Sequence, residues 1–542
     1  MFEDCYYFYV HKTIYNMRRH LQKLAAICML GFFTMPTYSQ RFLSEVFPSV
    51  NVTTNVVYAQ NYEVLTGTPV LKDLKMDVYE PAGAADPMTE RPLIIYLHTG
   101  SYIPIIVNGN ATGSRNDSAA VEICKQFARR GYVVANMDYR LGWDPTNTNP
   151  TNGLDIRRGT LLNAVYRSIQ DAKSCVRYFR KDAATNNNVY KIDVNNFYLV
   201  GQGTGGYIAL NYAVLNSPSE ITLPKFISST DAPTYGIYAG QPYVNQTALG
   251  DFDGIGGVAP YNNENNPGYS NAVQFVVNLG GAMGDSSWIA AGDAPMIGIH
   301  CVDDPFAPYG VGIVYVPTTP PQAVVDVIGS GEIIKWANLL GNNACFANAG
   351  FTDPYTIRAN SINNGNEGLF PLQQGINPVN PQLGHAGPWE WYDLQSTRNL
   401  AMAMGYQSTR GDTCYGNSML TNPTMSKAYA LAYIDTIMNY VNPRIVFCCN
   451  LPTSVKEVST NSSDVTIYNS PSKSYFTVVS TSKEPMRSIE IYDIKGSLLA
   501  AEKNPNAFSQ RIEKASLSLN KGVVLVKITY NSDVITKKIT LD

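Results

Sequence analysis

The chain has 542 residues, with 40 Lys and Arg against 43 Asp and Glu, a formal net charge of −3. That balance excludes a strongly basic nucleic-acid binder, and a hydrophobic share of 45% excludes a disordered chain. Charged residues make up only 15%, against roughly 25% in an ordinary soluble protein. Tyr (36), Gly (42), Asn, Ser and Thr supply the remaining polarity, as in many secreted proteins. At roughly 150 residues per domain the length admits about three or four domains, or one large α/β domain and a small partner.

Residues 1–40 read as a secretory signal. Met17-Arg18-Arg19-His20-Leu21-Gln22-Lys23 is basic, 24–35 is apolar, and Thr37-Tyr38-Ser39-Gln40 offers a cleavage region. The apolar run is shorter than the ~20 residues a membrane span needs. Met17 is a better start than Met1, and no Cys follows the apolar run to carry a lipid anchor.

Beyond the leader lie Cys124, Cys175, Cys301, Cys345, Cys414, Cys448 and Cys449. An exported chain permits disulfides. Their odd number leaves at least one thiol unpaired in a monomer, and the connectivity stays open. Without a C-x-x-C spacing, structural zinc is not expected.

From 41 to 450 strands alternate with helices. Leu71–Tyr79 alternates and breaks at Pro81. The segments 92–97, 132–137, 197–200, 275–279 and 296–300 are short apolar runs, as expected of strands buried on both faces. Helical spacing covers 119–130, 161–181, 207–215, a stretch around 324–340, and 427–440; Gly131 is placed to end the first of these. This rhythm predicts a mainly parallel sheet with helices on both faces. Two long connections, 216–270 and 310–384, interrupt it and are candidates for a cap over a cleft. Asp251-Phe252-Asp253-Gly254 opens like a calcium loop, but no Glu completes the twelve-residue pattern. Residues 451–464 form a Ser/Thr/Val-rich linker. From 465 to 542 short alternating strands predict a separate small β-sandwich.

The chemistry centres on Val200-Gly201-Gln202-Gly203-Thr204-Gly205-Gly206, a strand, a tight glycine turn and a helix. This is the setting of the nucleophile elbow G-x-S-x-G, whose middle residue projects over the sheet edge. Here the middle residue is Gly203, which has no side chain to attack with. Around it stand His98-Thr99-Gly100-Ser101 after an earlier strand, Asp303-Asp304-Pro305 after a late one, and Gly384-His385-Ala386 in a loop before a helix. The order elbow, acid, histidine is that of α/β-hydrolases.

By these segments residues from about 60 to 447 resemble the carboxylesterase/feruloyl-esterase branch of the α/β-hydrolase fold. The resemblance implies a carboxylic ester hydrolase with Asp304 as the acid and His385 as the base. It implies an oxyanion hole built from the backbone N–H of Thr204 and of Gly100 or Ser101. Thr99 and Ser101 replace glycines of the oxyanion loop, and Gly203 replaces the serine. His98 and His300 read as structural. Trp389, Trp391 and Tyr392, beside His385, are candidates to stack on a ligand.

Residues from Val465 resemble the type A sorting domain of the Bacteroidetes type IX secretion system, through Ile467-Tyr468-Asn469-Ser470-Pro471, Ile491-Tyr492-Asp493-Ile494-Lys495-Gly496, Leu519-Asn520-Lys521-Gly522-Val523 and Lys537-Lys538-Ile539. This implies passage through the periplasm, then release or surface attachment, with the secretion machinery as a partner.

The leading expectation is an inactive or weakly active esterase-like protein that binds a small ester or glycan-type ligand, with no cofactor and no nucleic acid. An active hydrolase is the alternative. It would use water activated by His385, or another hydroxyl such as Thr204 or Ser101. A third reading takes Gly201-x-Gly203-x-x-Gly206 as a dinucleotide fingerprint with Glu220 downstream. It is discounted because several strands precede the turn and Glu220 does not end an apolar strand.

Overall fold

The computed structural model describes residues 41–542 except 66, 85, 87, 317–319, 453–464, 470–472, 483, 495, 518–521, 532–533 and 542. The leader, nearly all of the linker, and Ser470, Pro471, Lys495, Leu519, Asn520 and Lys521 of the C-terminal motifs lie outside these residues.

Eleven strands and seven principal helices make up the body in this order: β1 Ser49–Val64, β2 Pro69–Ala82, β3 Arg91–Leu97, α1 Ser118–Arg129, β4 Val133–Met137, α2 Gly153–Thr185, β5 Ile192–Gln202, α3 Thr204–Val214, β6 Phe275–Leu279, β7 Ala282–Met283, β8 Met296–Cys301, β9 Val311–Val316, β10 Gln322–Gly329, α4 Ser330–Leu339, β11 Leu369–Leu372, α5 Leu394–Ala403, α6 Ser408–Thr421 and α7 Lys427–Cys448. The main sheet runs β1-β2-β4-β3-β5-β6-β8-β11. It is antiparallel at β1/β2 and β2/β4 and parallel everywhere after β4. A second sheet, β7-β10-β9, takes β9 and β10 from the late insertion and pairs β10 with β7, which follows β6.

Why β3 sits at the centre follows from its sequence. Arg-Pro-Leu-Ile-Ile-Tyr-Leu is buried at every position, and successive side chains point to opposite faces. Leu93, Ile95 and Leu97 join one apolar layer with Val133, Leu199 and residues of α2 and α3. Ile94 and Tyr96 join the other with Val134, Tyr198, Val200 and residues of α1 and α7. Helices cover both faces, as parallel sheets require.

Some elements differ from expectation. The stretch around 324–340 splits into strand β10 and helix α4. Val324, Val325, Val327 and Ile328 are β-branched and favour the strand. At Gly329, the junction of the two, an added Cβ would lie 1.7 Å from the Pro308 carbonyl oxygen, so only glycine fits there. α2 begins eight residues before the expected Leu161, at Gly153. The first strand was not foreseen: β1 is mostly exposed over its first half and shows no apolar run. The insertion 216–270 contains short 3-10 turns and the four-residue helix Gln246–Leu249. Within it Asp251 accepts from the backbone N–H groups of Asp253 and Ile255, and Asp253 pairs with Lys173 at 2.9 Å, so both carboxylates already have partners within the chain.

From Val465 the chain forms a three-stranded and a four-stranded antiparallel sheet around Phe476, Val478, Ile489, Ile491, Val524, Val526 and Ile528. Cys345 and Cys448 form a disulfide, which ties helix Ala344–Ala349 to α7. Cys124, Cys175, Cys301 and Cys414 are buried free thiols. Among the described residues no helix is long and apolar enough to cross a membrane.

One buried ion pair fixes the turn after β4. Arg140 Nε donates to Asp171 Oδ1 on α2 at 2.8 Å, and the Arg140 backbone N–H donates to Asp171 Oδ2 at 2.8 Å. Both side chains are essentially inaccessible. Removing one partner of such a pair leaves a buried charge uncompensated and typically costs about 3–5 kcal/mol. Asp171→Ala is therefore expected to lower unfolding free energy by about that amount in urea titration; a loss below about 1 kcal/mol would contradict the assignment.

Candidate functional site

The site forms where the parallel strands end. β5 runs into α3 through Gly203, whose backbone sits at φ 52°, ψ −113°. That left-handed conformation is strained for a side-chain-bearing residue and free for glycine. The neighbouring glycines answer a different need. An added Cβ would lie 2.1 Å from the Gly205 carbonyl oxygen at residue 201, 2.0 Å from the Leu97 carbonyl oxygen at 205, and 2.1 Å from Asn278 Oδ1 at 206. The G-x-G-x-x-G spacing thus records close packing of strand, turn and helix within an elbow. The Gly203 N–H donates to the Leu279 carbonyl at 2.7 Å, which docks the turn on β6.

The loop after β3 is braced from below. Tyr139 stacks on His98 with ring centroids 4.7 Å apart, and its hydroxyl donates to the His98 carbonyl at 2.9 Å. His98 Nε2 lies 3.6 Å from Asp138, which also pairs with Arg115. His98 and His300 are both held inside the fold: His300 contacts Ser330 Oγ at 3.0 Å and the Ala307 carbonyl at 3.1 Å. The loop therefore reaches the elbow in a fixed pose. The N–H groups of Gly100 and Ser101 donate to Thr204 Oγ1 at 3.2 and 2.7 Å. The Tyr102 hydroxyl donates to the Thr204 carbonyl at 3.2 Å. The three expected oxyanion-hole residues are brought together, with the Thr204 side chain in the middle.

The acid and base pair differently from expectation. His385 Nδ1 lies 3.0 Å from Asp303 Oδ2, and the His385 side chain is 9% exposed. With Nδ1 donating to the carboxylate, Nε2 is the basic nitrogen. Asp304, the expected partner, is not bonded to His385. Its Oδ1 accepts from the N–H groups of Phe306 and Ala307 at 2.8 and 3.0 Å, and its Oδ2 is 3.5 Å from His300 Nε2. The one-residue slip has a visible cause. Gly384 presses on the Asp303 backbone so closely that an added Cβ would lie 1.5 Å from its carbonyl oxygen, which carries His385 to residue 303.

A cavity of about 230 Å³ opens over the elbow. Its walls include Thr99, Ser101, Gly203, Thr204, Tyr207, Asp304, Trp389 and Glu390. Ala386 and Gly387 line it, whereas His385 is not among the lining residues. Of the three aromatic candidates only Trp389 lines the cavity. Trp391 packs against the core beneath α1 and α7, and Tyr392 sets its ring edge-on to Tyr415 at 5.5 Å.

Glu390 and Gln202 were missed from sequence. Gln202 bridges the Tyr96 hydroxyl (2.6 Å) and Glu390 Oε1 (2.5 Å). Burial, with Asp117 and Asp304 nearby, pushes the Glu390 carboxyl up to about 8. Burial likewise raises Asp117 to about 6, although it accepts from Gly113 and Ser114. The available signal was position: an acid between two tryptophans, five residues after His385. Among the described residues no group of His, Cys, Asp and Glu could hold a metal ion.

Residues 76–310 match the family described as BD-FAE, and residues 453–541 match a domain of unknown function, DUF8694. No curated protein matches the chain. Among solved structures, the chain is similar to the propionate-bound thermophilic esterase Est2 of the planctomycete Thermogutta terrifontis. The identity is 16%, over 66% of this chain and 96% of that one, at a TM-score of 0.30. The same esterase phosphorylated by paraoxon gives 16%, 67%, 96% and 0.31. Strand order and the family match together make this an esterase-like α/β-hydrolase fold followed by an all-β region.

Glu390 carries a pH signature. Its folded value of about 8 stands above the ordinary carboxyl value of 4.5, so its protonated form stabilises the fold. That contribution is complete below about 4.5 and is lost as pH rises through about 8. The melting temperature of the wild type is expected to fall more between pH 6 and 9 than that of Glu390→Gln, with Asp117 common to both proteins. Parallel melting curves would contradict this.

Proposed function

We propose that this esterase-like protein is catalytically silent, or nearly so, and acts as a secreted binder of a small ester or glycan-type ligand. The observation that carries the reading is the elbow at Gly203. The backbone keeps the strained shape that presents a nucleophile, yet no nucleophile is there. In hydrolases of this kind the serine, histidine and acid act as a unit. Losing the serine removes on the order of 10⁶ in turnover and leaves roughly 10³–10⁴ over water from binding and the oxyanion hole. Water activated by His385 would be a poor substitute, because it lacks the positioning of a tethered group.

Binding can survive the loss of chemistry. The cavity offers the ring of Trp389, whose indole N–H has no protein acceptor among the described residues. It also offers two carboxyl groups, from Asp304 and Glu390, and the amides of Asn108, Asn110 and Asn422. Aromatic faces with hydrogen-bonding groups of both senses suit a small, partly polar molecule. The leader and the C-terminal β-domain support export: we read residues 1–40 as the signal for the inner membrane and 465–542 as a type IX sorting domain.

Two measurements test this. With p-nitrophenyl acetate and a feruloyl ester, wild type and His385→Ala are expected to turn over equally slowly. Wild-type turnover of about 1–10³ s⁻¹, abolished in His385→Ala, would contradict the silent reading. In the native host, deletion of 465–542 is expected to retain the protein in the periplasm. Unchanged export of the truncated chain would contradict the sorting role.

A further inference from the structure

Silence at this elbow has more than one physical layer. A Cβ built on residue 203 would stand 2.5 Å from Thr99 Oγ1 and 3.1 Å from Thr99 Cβ. Real Cβ atoms do not approach a neighbour at the first distance, and the second is crowded. Thr99 is β-branched and stiff about χ1, so its hydroxyl cannot simply swing aside. The Thr99 side chain therefore occupies the space in which a nucleophile at 203 would begin.

The second layer lies across the turn. The N–H groups of Gly100 and Ser101 would stabilise a developing oxyanion only if they pointed at it unoccupied. Instead both donate to Thr204 Oγ1. A neutral hydroxyl sits where the charged oxygen of an acyl-transfer intermediate would be received. Neither layer can relax by the loop backing away. Tyr102 binds the Thr204 carbonyl, Gly205 abuts Leu97, and Tyr139 holds His98 from beneath.

We propose that Thr99 and Thr204 form an internal plug: Thr99 fills the nucleophile's place and Thr204 fills the oxyanion's. This deepens the silent reading above and rests on it. The consequence is specific. Restoring serine at 203 does not by itself restore acyl-transfer chemistry, because the new side chain meets Thr99 and the donors remain taken. Recovery needs the plug removed as well. Thr99→Gly opens the first position, whereas Thr99→Ala leaves the crowding Cβ and opens it only in part. Thr204→Ala frees the two N–H groups.

The test uses the full chain and a fluorophosphonate probe followed by intact mass. In labelling, the serine oxygen forms a bond to phosphorus, fluoride leaves, and the hydroxyl proton passes to base. Wild type and Gly203→Ser are expected to stay unlabelled. Gly203→Ser with Thr99→Gly is expected to label, and adding Thr204→Ala to raise the rate on the order of 10²-fold, the scale of one oxyanion donor. Gly203→Ser labelling as fast as the triple variant would overturn the plug, as would a folded triple variant that never labels. Equal rates for the double and triple variants would remove Thr204 from it. A wild-type adduct on Thr99 would make that residue a nucleophile and sink the silent reading too, whereas the preceding outcomes leave that reading standing. A second readout needs no chemistry. The loss of melting temperature on Gly203→Ala is expected to shrink in the Thr99→Gly background, and equal losses would overturn the steric half.

Discussion

Everything at the site depends on how closely the turn between β5 and α3 approaches the ends of β3 and β6. Two of the contacts are backbone on backbone, Gly205 against the Leu97 carbonyl and Gly201 under Gly205, and in the third Gly206 packs against the Asn278 side chain. No Cβ fits on any of these three glycines. The approach aims the helix N-terminus at the cleft and sets residue 203 at its summit. It also brings the oxyanion loop within hydrogen-bonding distance of Thr204. A frame of this kind is costly to discard, because the central sheet and both apolar layers are built around it. On the silent reading proposed above, the architecture outlasts the loss of its reactive atom.

The elbow illustrates how strain and function separate. A serine at φ 52° is tolerated where chemistry demands it; the strain is of order 1–3 kcal/mol. Glycine relieves it. With glycine at 203, the Thr99 side chain stands beside it, in the space a Cβ would need. The hydroxyl of Thr204 satisfies two N–H groups that would otherwise face the cavity unpaired. If the proposed plug holds, the same packing contacts that stabilise the fold stand against acyl-transfer chemistry.

Much of this was legible in the residues. Apolar runs as short as Pro92–Leu97 read as strands buried on both sides, and the glycine-rich turn marked the strand-to-helix turn at Gly203. What sequence could not give was pairing decided by backbone contact. His385 meets Asp303 rather than Asp304 because Gly384 lies against residue 303. Trp391 and Tyr392 turn away from the cavity while Trp389 faces it, a difference of side-chain direction within one short loop. β1 escaped notice because an edge strand half open to solvent carries little apolar pattern, and β10 because its β-branched run reads equally as a buried helix.

If the proposed silent reading holds, no covalent acyl-enzyme forms at this elbow. Pre-steady-state mixing of the wild-type protein with p-nitrophenyl acetate tests it most directly. A linear trace without a burst of p-nitrophenol is expected. A burst approaching one equivalent per protein would contradict it.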